Sequence, residues 1–214
     1  MTADDAIYLI SDLADRRDIP VPANCNIAPP GPHQDSLFVV ESGLIMQCNY
    51  DYNGDRQVCR VYRAGEVIGL EGLAEMPLMP SYETLVPSVV HRVPLRRITG
   101  PQRNNPALQQ AVLHLLAHEV VDGYNWKINI GAGSATRRVC RFLLWTAQED
   151  RCVLPPRDKL GSIIAMTTET ASRIIATLRR KGILHKNPGY RDVVTIDRRG
   201  LLDQAGDFRD RGVA

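Results

Sequence analysis

The spacing of apolar and polar positions changes along the chain, and each change predicts a different kind of element. "DAIYLISDLADR" (residues 5–16) is a short amphipathic stretch, followed by "PVPANCNIAPPGPHQD" (20–35). Five prolines in that second stretch rule out a helix and argue against a central strand, so residues 1–33 read as an irregular arm. From Ser36 short β-branched or aromatic runs alternate with turn signals. Asn53-Gly54 predicts a type I′ hairpin turn, whose two central residues both need positive φ. Ala64-Gly65-Glu66 marks another turn, and "SYETLVPSVVHRVPL" (81–95) returns as one or two further strands. Short strands at this spacing predict a small antiparallel barrel or roll over residues 34–103.

Helical periodicity begins at Asn104-Asn105-Pro106, where proline can occupy the first turn without losing a hydrogen bond. It runs through "ALQQAVLHLLAHEVVDGYNWKINI", giving one long helix over residues 104–131. Leu108, Val112, Leu115, Glu119, Asp122 and Trp126 fall on a 4-3 spacing, the pattern of a helix-pairing seam. A small roll offers little surface to cover that stripe, so a second subunit is its expected partner. The alternative is that the stripe lies on its own domain. Gly131-Ala132-Gly133 breaks the helix, and Ser134 is a candidate N-cap for "ATRRVCRFLLWTAQED". "RDKLGSIIAM" and "TTETASRIIATLRRKGI" follow as two helices around a tight turn at Ala165-Met166-Thr167. "GILHKNPGYRDVVTID" closes as a hairpin with Asn187-Pro188-Gly189 at its tip, so residues 132–214 read as a winged helix-turn-helix. The expected class is therefore α+β: an antiparallel roll, a long dimerisation helix and a C-terminal winged helix-turn-helix.

In such a motif the second helix enters the major groove and its first turns meet base edges. Glu169, Ser172 and Arg173 occupy those turns, opposite the apolar Ala171, Ile174, Ile175 and Leu178. Arg173 suits guanine O6 and N7, Glu169 suits cytosine N4, and Ser172 serves either sense. Thr167, Thr168 and Thr170 start the helix; Arg179 and Arg180 end it, and Lys186 stands in the wing. These are candidate DNA contacts, and the basic ones suit phosphates. The competing reading is a plain i,i+4 ion pair between Glu169 and Arg173 on an exposed helix.

Charge supports a polyanionic partner. The net charge is +2, but residues 134–214 hold 16 Lys/Arg against 9 Asp/Glu, whereas residues 1–133 hold 10 against 15. A basic C-terminal segment beside an acidic one predicts contact with double-stranded DNA. No run approaches the roughly 18 apolar residues of a membrane span. The acidic N-terminus lacks the basic segment of a secretory signal, and the five cysteines contain no CxxC pair. A reducing, cytoplasmic setting without membrane contact is expected. No nucleophile elbow, phosphate loop or zinc-protease motif suggests an enzyme.

"LGSIIAMTTETASRIIATLRRKGIL" closely resembles the helix-turn-helix of the CRP/FNR superfamily of bacterial transcription regulators. "LFVVESGLIMQ…NGDRQVCRVYRAGEVIGLEGL" is similar to that family's cyclic-nucleotide-binding-like roll. The resemblance implies a homodimer reading a palindrome, with RNA polymerase as a further partner at the loop from Glu71 to Met79. Glu169-Thr170-Ala171-Ser172-Arg173 matches the E-x-x-S-R pattern of the FNR-type branch, which implies TTGAT-like half-sites. The cyclic-AMP branch has arginine where this chain has Thr168. Two departures bear on ligands. Gly69 is followed by Leu70, and Pro80-Ser81 stands where the cyclic-nucleotide cassette has its phosphate-binding arginine. A phosphodiester would then lack its charge partner, which argues against cyclic AMP. Only Cys25 precedes the roll and His91 takes the place of the later cysteine, which argues against a [4Fe–4S] cluster. The arm is shorter than the family's, so the first strands of the roll are expected to be missing or reduced.

Other candidates stand beside this reading. His114 and His118 are four apart, a spacing open to metal or haem. Cys48 and Cys59 flank the Asn53-Gly54 hairpin, where a redox pair is the alternative to buried free thiols. Asp122 in a dimer seam would repel its mate. These residues carry the alternative function: a haem- or redox-responsive sensor whose winged helix acts mainly through a protein partner.

Overall fold

The computed structural model describes residues 2–28, 30–31, 34–54, 56–100, 104–187, 189 and 192–208. They divide into two units, Met1–Asp122 and Gly123–Ala214.

The N-terminal unit is a roll of two antiparallel sheets. One has the order β1 (Arg16–Val21), β8 (Ser88–Pro94), β3 (Ser36–Ser42), β6 (Val67–Ile68). The other has the order β2 (Asn26–Ala28), β7 (Ser81–Thr84), β4 (Leu44–Tyr50), β5 (Arg56–Arg63). Ala28, Val40, Ile45, Tyr62, Ile68, Leu78, Tyr82 and Val90 form the core between them. Leu37 and Val39 point the other way, into a second cluster with α1 (Ala3–Asp12), α2 (Leu95–Thr99) and the start of α3 (Pro106–Asn129). With both faces covered, β3 reads as the unbroken run "LFVV" rather than as an alternation.

The N-terminal segment departs from the expected irregular arm. Residues 3–12 are helical, with Thr2 and Asp5 forming a capping box, and residues 16–21 and 26–28 supply the first strands of the roll. Both strands lie at sheet edges, where Pro20 costs no ladder hydrogen bond that a neighbour needs. The prolines exclude a central strand, not an edge. The hairpin at Asn53-Gly54 is also in place, but Gly54 alone has positive φ (81°), and its N–H donates to Asp51 O at 3.0 Å. Tyr50 pairs with Arg56, so the loop is longer than a two-residue type I′ turn.

The C-terminal unit contains the last turns of α3, then α4 (Ala135–Thr146), β9 (Arg151–Val153), α5 (Arg157–Ile163), α6 (Thr168–Arg180), β10 (Leu184–Lys186), β11 (Val193–Ile196) and α7 (Arg198–Ala205). The strands form an antiparallel sheet of order β10-β11-β9. Ser134 caps α4 by accepting from Arg137 N at 3.4 Å. Pro188, part of the predicted wing tip, lies outside the described residues. The antiparallel roll, long helix and winged helix-turn-helix of the α+β expectation are all present.

Candidate nucleic-acid interface

The turn between α5 and α6 sets the geometry of the interface. Met166 N donates to Gly161 O at 2.9 Å, and a Cβ on Gly161 would stand 2.6 Å from Met166 O. Only glycine lets the two helices approach this closely. Ala165 has φ 49°, turning the chain sharply between them. Thr167 then caps α6: its hydroxyl accepts from Thr170 N at 3.2 Å.

Ala171, Ile174, Ile175 and Leu178 are buried, so α6 is pinned by one face. Thr167, Thr168, Glu169, Ser172 and Arg173 are exposed, and Thr170 is half-buried. Glu169 is held below its usual carboxylate range, first by its own backbone N–H at the helix start and then by the Thr167 hydroxyl. It is therefore an acceptor at neutral pH. Among the described residues no ion pair joins Glu169 to Arg173, so the plain i,i+4 pair is not formed. Arg173 instead lines a cleft of about 400 Å³ with Thr170, Thr177, Lys181, Gln204 and Ser134 at the start of α4.

The far end of α6 is basic. Arg180 is exposed and donates to Thr177 Oγ1 at 3.1 Å, and Lys186 is exposed at the end of β10. Arg179 is half-buried and close to Arg157, a residue that sequence reasoning did not single out. Burial and then the Arg179 charge hold the Arg157 guanidinium below its ordinary value. Among the described residues neither arginine forms an ion pair with a carboxylate within 4.0 Å. Like charges that feel each other favour a neighbouring anion. The only signal in the sequence was an arginine opening α5 after Pro155-Pro156.

The residues assigned to a dimer seam sit elsewhere. Leu108 and Leu115 are 4% and 5% exposed within their own roll cluster, and Val112 packs against it. Glu119 and Asp122 pair with Arg60 of β5 at 2.9 and 3.5 Å. Trp126 packs edge-on against Phe142 and Trp145 of α4, with ring centroids 6.4 and 5.2 Å away. The 4-3 stripe thus packs within the chain itself, where Asp122 faces an arginine. What α3 exposes is a different stripe: Leu113, Leu116, Val120, Val121, Tyr124 and Ile128. Arg141 of α4, also unforeseen, is buried and donates to Asn129 O, Ala132 O and Ala205 O at 3.3, 3.3 and 2.9 Å. It satisfies carbonyls at the ends of α3 and α7 that no helical N–H can reach.

The roll interior answers the question of a ligand. Arg60 is 4% exposed and also pairs with Glu66 at 3.1 Å. Tyr62 donates to Glu119 at 2.6 Å, and Tyr82 donates to Glu71 at 3.2 Å while accepting from Gln47 at 3.0 Å. A phosphodiester would meet an arginine already shared among carboxylates, so these residues do not fit a cyclic nucleotide. Cys25, Cys48, Cys59, Cys140 and Cys152 are free thiols. Burial pushes Cys140 and Cys152 up to about 12, which suits packing rather than metal ligation. Among the described residues no three His, Cys, Asp or Glu side chains stand together as metal ligands. The His114 and His118 rings stack on each other, with centroids 5.8 Å apart. His91 lies between β1 and β3: its Nδ1 accepts from Asp18 N at 3.0 Å and its Nε2 meets Glu41 at 3.1 Å. No helix among the described residues is long and apolar enough to cross a membrane.

Comparison with known proteins agrees with this architecture. Residues 137–204 match the Crp-like helix-turn-helix domain. The chain is 23% identical over 210 residues to electron transport regulator A of Shewanella oneidensis, covering 94% of this chain and 82% of that protein. It is 22% identical over 187 residues to the fumarate and nitrate reduction regulatory protein of Yersinia pestis, covering 82% and 73%. Its fold is shared with FixK2 from Bradyrhizobium japonicum, with a TM-score of 0.74 at 20% identity, over 88% of this chain and 96% of that one. These relatives are regulators of transcription rather than enzymes. Residues 137–204 thus form a Crp-like helix-turn-helix domain, with α5 and α6 as its two helices, and over most of its length the chain is similar to regulators of the CRP/FNR type.

Proposed function

We propose that the protein binds a palindromic DNA site as a homodimer, with α6 of each subunit in the major groove and TTGAT-like half-sites. The observation that carries this reading is the division of α6. Its apolar residues are buried, while Glu169, Ser172 and Arg173 stand exposed and unpaired with one another on its first turns. Arg173 reads guanine, the ionised Glu169 accepts from cytosine N4, and Ser172 adds a hydroxyl contact. Thr167, Thr168, Thr170, Arg179, Arg180 and Lys186, joined by Arg157, hold the phosphates and fix register without specifying sequence. Similarity to an FNR-type regulator supports this branch, as does Thr168 in place of the cyclic-AMP branch's arginine.

Pairing of subunits falls to the exposed stripe of α3. Leu113, Leu116, Val120, Tyr124 and Ile128 recur at helical spacing on one side of the helix, a surface suited to a second copy of itself. RNA polymerase is the second macromolecular partner of this reading. Met76 and Met79, 57% and 72% exposed, are offered to it from the loop before β7, whereas Glu71 is turned inward to Tyr82. The working compartment is the cytoplasm.

The test compares Arg173→Ala with the parent protein on a TTGAT palindrome and on scrambled DNA. A loss of about 1–3 kcal/mol per half-site is expected on the palindrome, with little change on scrambled DNA. Equal losses on both would make Arg173 a phosphate contact and remove it from base reading.

A further inference from the structure

α6 owes its direction to the short turn before it, and that turn is held from outside the helix-turn-helix. α5 ends at Ile163, and the backbone runs through Ile164, Ala165 and Met166 to the cap at Thr167. Ala165 takes φ 49°, a left-handed conformation that an alanine side chain disfavours. Met166 N closes the turn by donating to Gly161 O at 2.9 Å. Ile164 is the C-cap of α5, so no further helical N–H follows to take its carbonyl. At 1% exposure it is also closed to water.

Arg138, on the first turn of α4 and twenty-six residues away in sequence, supplies the missing donor. Its Nη1 reaches Ile164 O at 2.7 Å, the distance of a charge-assisted hydrogen bond. The cation also meets the carbonyl end of α5, where positive charge is favoured. Arg138 is half-buried, and among the described residues it forms no ion pair with a carboxylate within 4.0 Å. Its Nε is buried without a hydrogen-bond partner among those residues. A buried N–H left unpaired costs free energy, so the guanidinium is placed by the carbonyl it reaches rather than by a counter-ion.

We propose that Arg138 is a positioning residue for the reading helix. By holding Ile164 O it keeps the turn in its left-handed kink and fixes the angle at which α6 presents Glu169, Ser172 and Arg173. These three residues follow directly from the turn, so a change in its backbone tilts them together. Hydrogen bonds to base edges weaken steeply when misaligned. Phosphate contacts from long basic side chains position the protein without specifying sequence, and they tolerate a tilt better. Loss of the hold therefore lowers specificity more than it lowers affinity for DNA in general. That consequence rests on the base-reading role of α6 proposed above; the hold on the turn does not.

Amide hydrogen exchange at Met166 in the full chain reads the hold without DNA. Arg138→Met keeps an unbranched side chain but removes the donor. It is expected to speed that exchange by about tenfold or more, the worth of one charge-assisted hydrogen bond. Arg138→Lys, which restores a cationic donor, is expected to recover much of the protection. A merely structural role would speed exchange at Met166 and at the Leu143 amide in the middle of α4 alike. Binding to a TTGAT palindrome and to scrambled DNA reads the consequence. Arg138→Met is expected to weaken the palindrome by about tenfold or more, the worth of one base contact, with little change on scrambled DNA. Unchanged exchange at Met166, or equal losses on the two DNAs, overturns the proposal; equal losses would make Arg138 a phosphate contact. Faster exchange confined to the turn, in a protein whose parent does not distinguish the two DNAs, upholds the hold and overturns the base-reading role instead.

Discussion

α6 and α3 are both helices with regularly spaced apolar residues, yet they place them differently. α6 has one apolar face, made of Ala171, Ile174, Ile175 and Leu178, and all of it is buried. α3 has two. Leu108, Ala111 and Leu115 enter the roll cluster, while Leu113, Leu116, Val120, Val121, Tyr124 and Ile128 remain exposed. A helix with a single apolar face has only one way to sit on its domain. A helix that is apolar on two sides needs two partners, and periodicity cannot say which side belongs to which.

Substitution on the two faces of α3 would sharpen that contrast most. Leu115→Ala should remove about 2–5 kcal/mol of stability, because a fully enclosed leucine leaves a cavity. Chemical denaturation of the N-terminal unit reads that loss directly. Val120→Lys should change stability by less than about 0.5 kcal/mol, since the residue is exposed, yet convert a dimer to a monomer in sedimentation. If Leu115→Ala separates the subunits while Val120→Lys leaves them paired, the two faces have been assigned the wrong way round. The smaller effect belongs to α6. Thr167→Ala removes the N-cap and should cost about 1 kcal/mol; it should also free Glu169 from one of the two bonds that hold it ionised. A rise in the Glu169 pKa, followed by NMR, checks the second half of that expectation.

Much of the C-terminal unit was legible because its signals are local. Ser134 and Thr167 as caps, Gly161 at the crowded turn, and the polar first turns of α6 all act within a few residues. The N-terminal segment was harder. Its prolines excluded a central strand, but an edge strand needs only one neighbour, and β8, some seventy residues away, provides it. Arg60 gave no local sign of its role. It sits in "VCRVY", an ordinary strand sequence, and its partners come from residues 66, 119 and 122. Arg157 was hidden in the same way, since its proximity to Arg179 exists only once α5 and α6 are folded together.

From the chain alone came the class of elements, their order, the helix-turn-helix and the division of α6 into a buried and an exposed face. Each depends on hydrogen bonds and burial over one or two turns. Folding in three dimensions settled which face of α3 the roll covers and what fills the roll's interior. Apolar side chains carry no record of their partner, and a buried charge is tolerable only beside counter-charges that distant segments deliver.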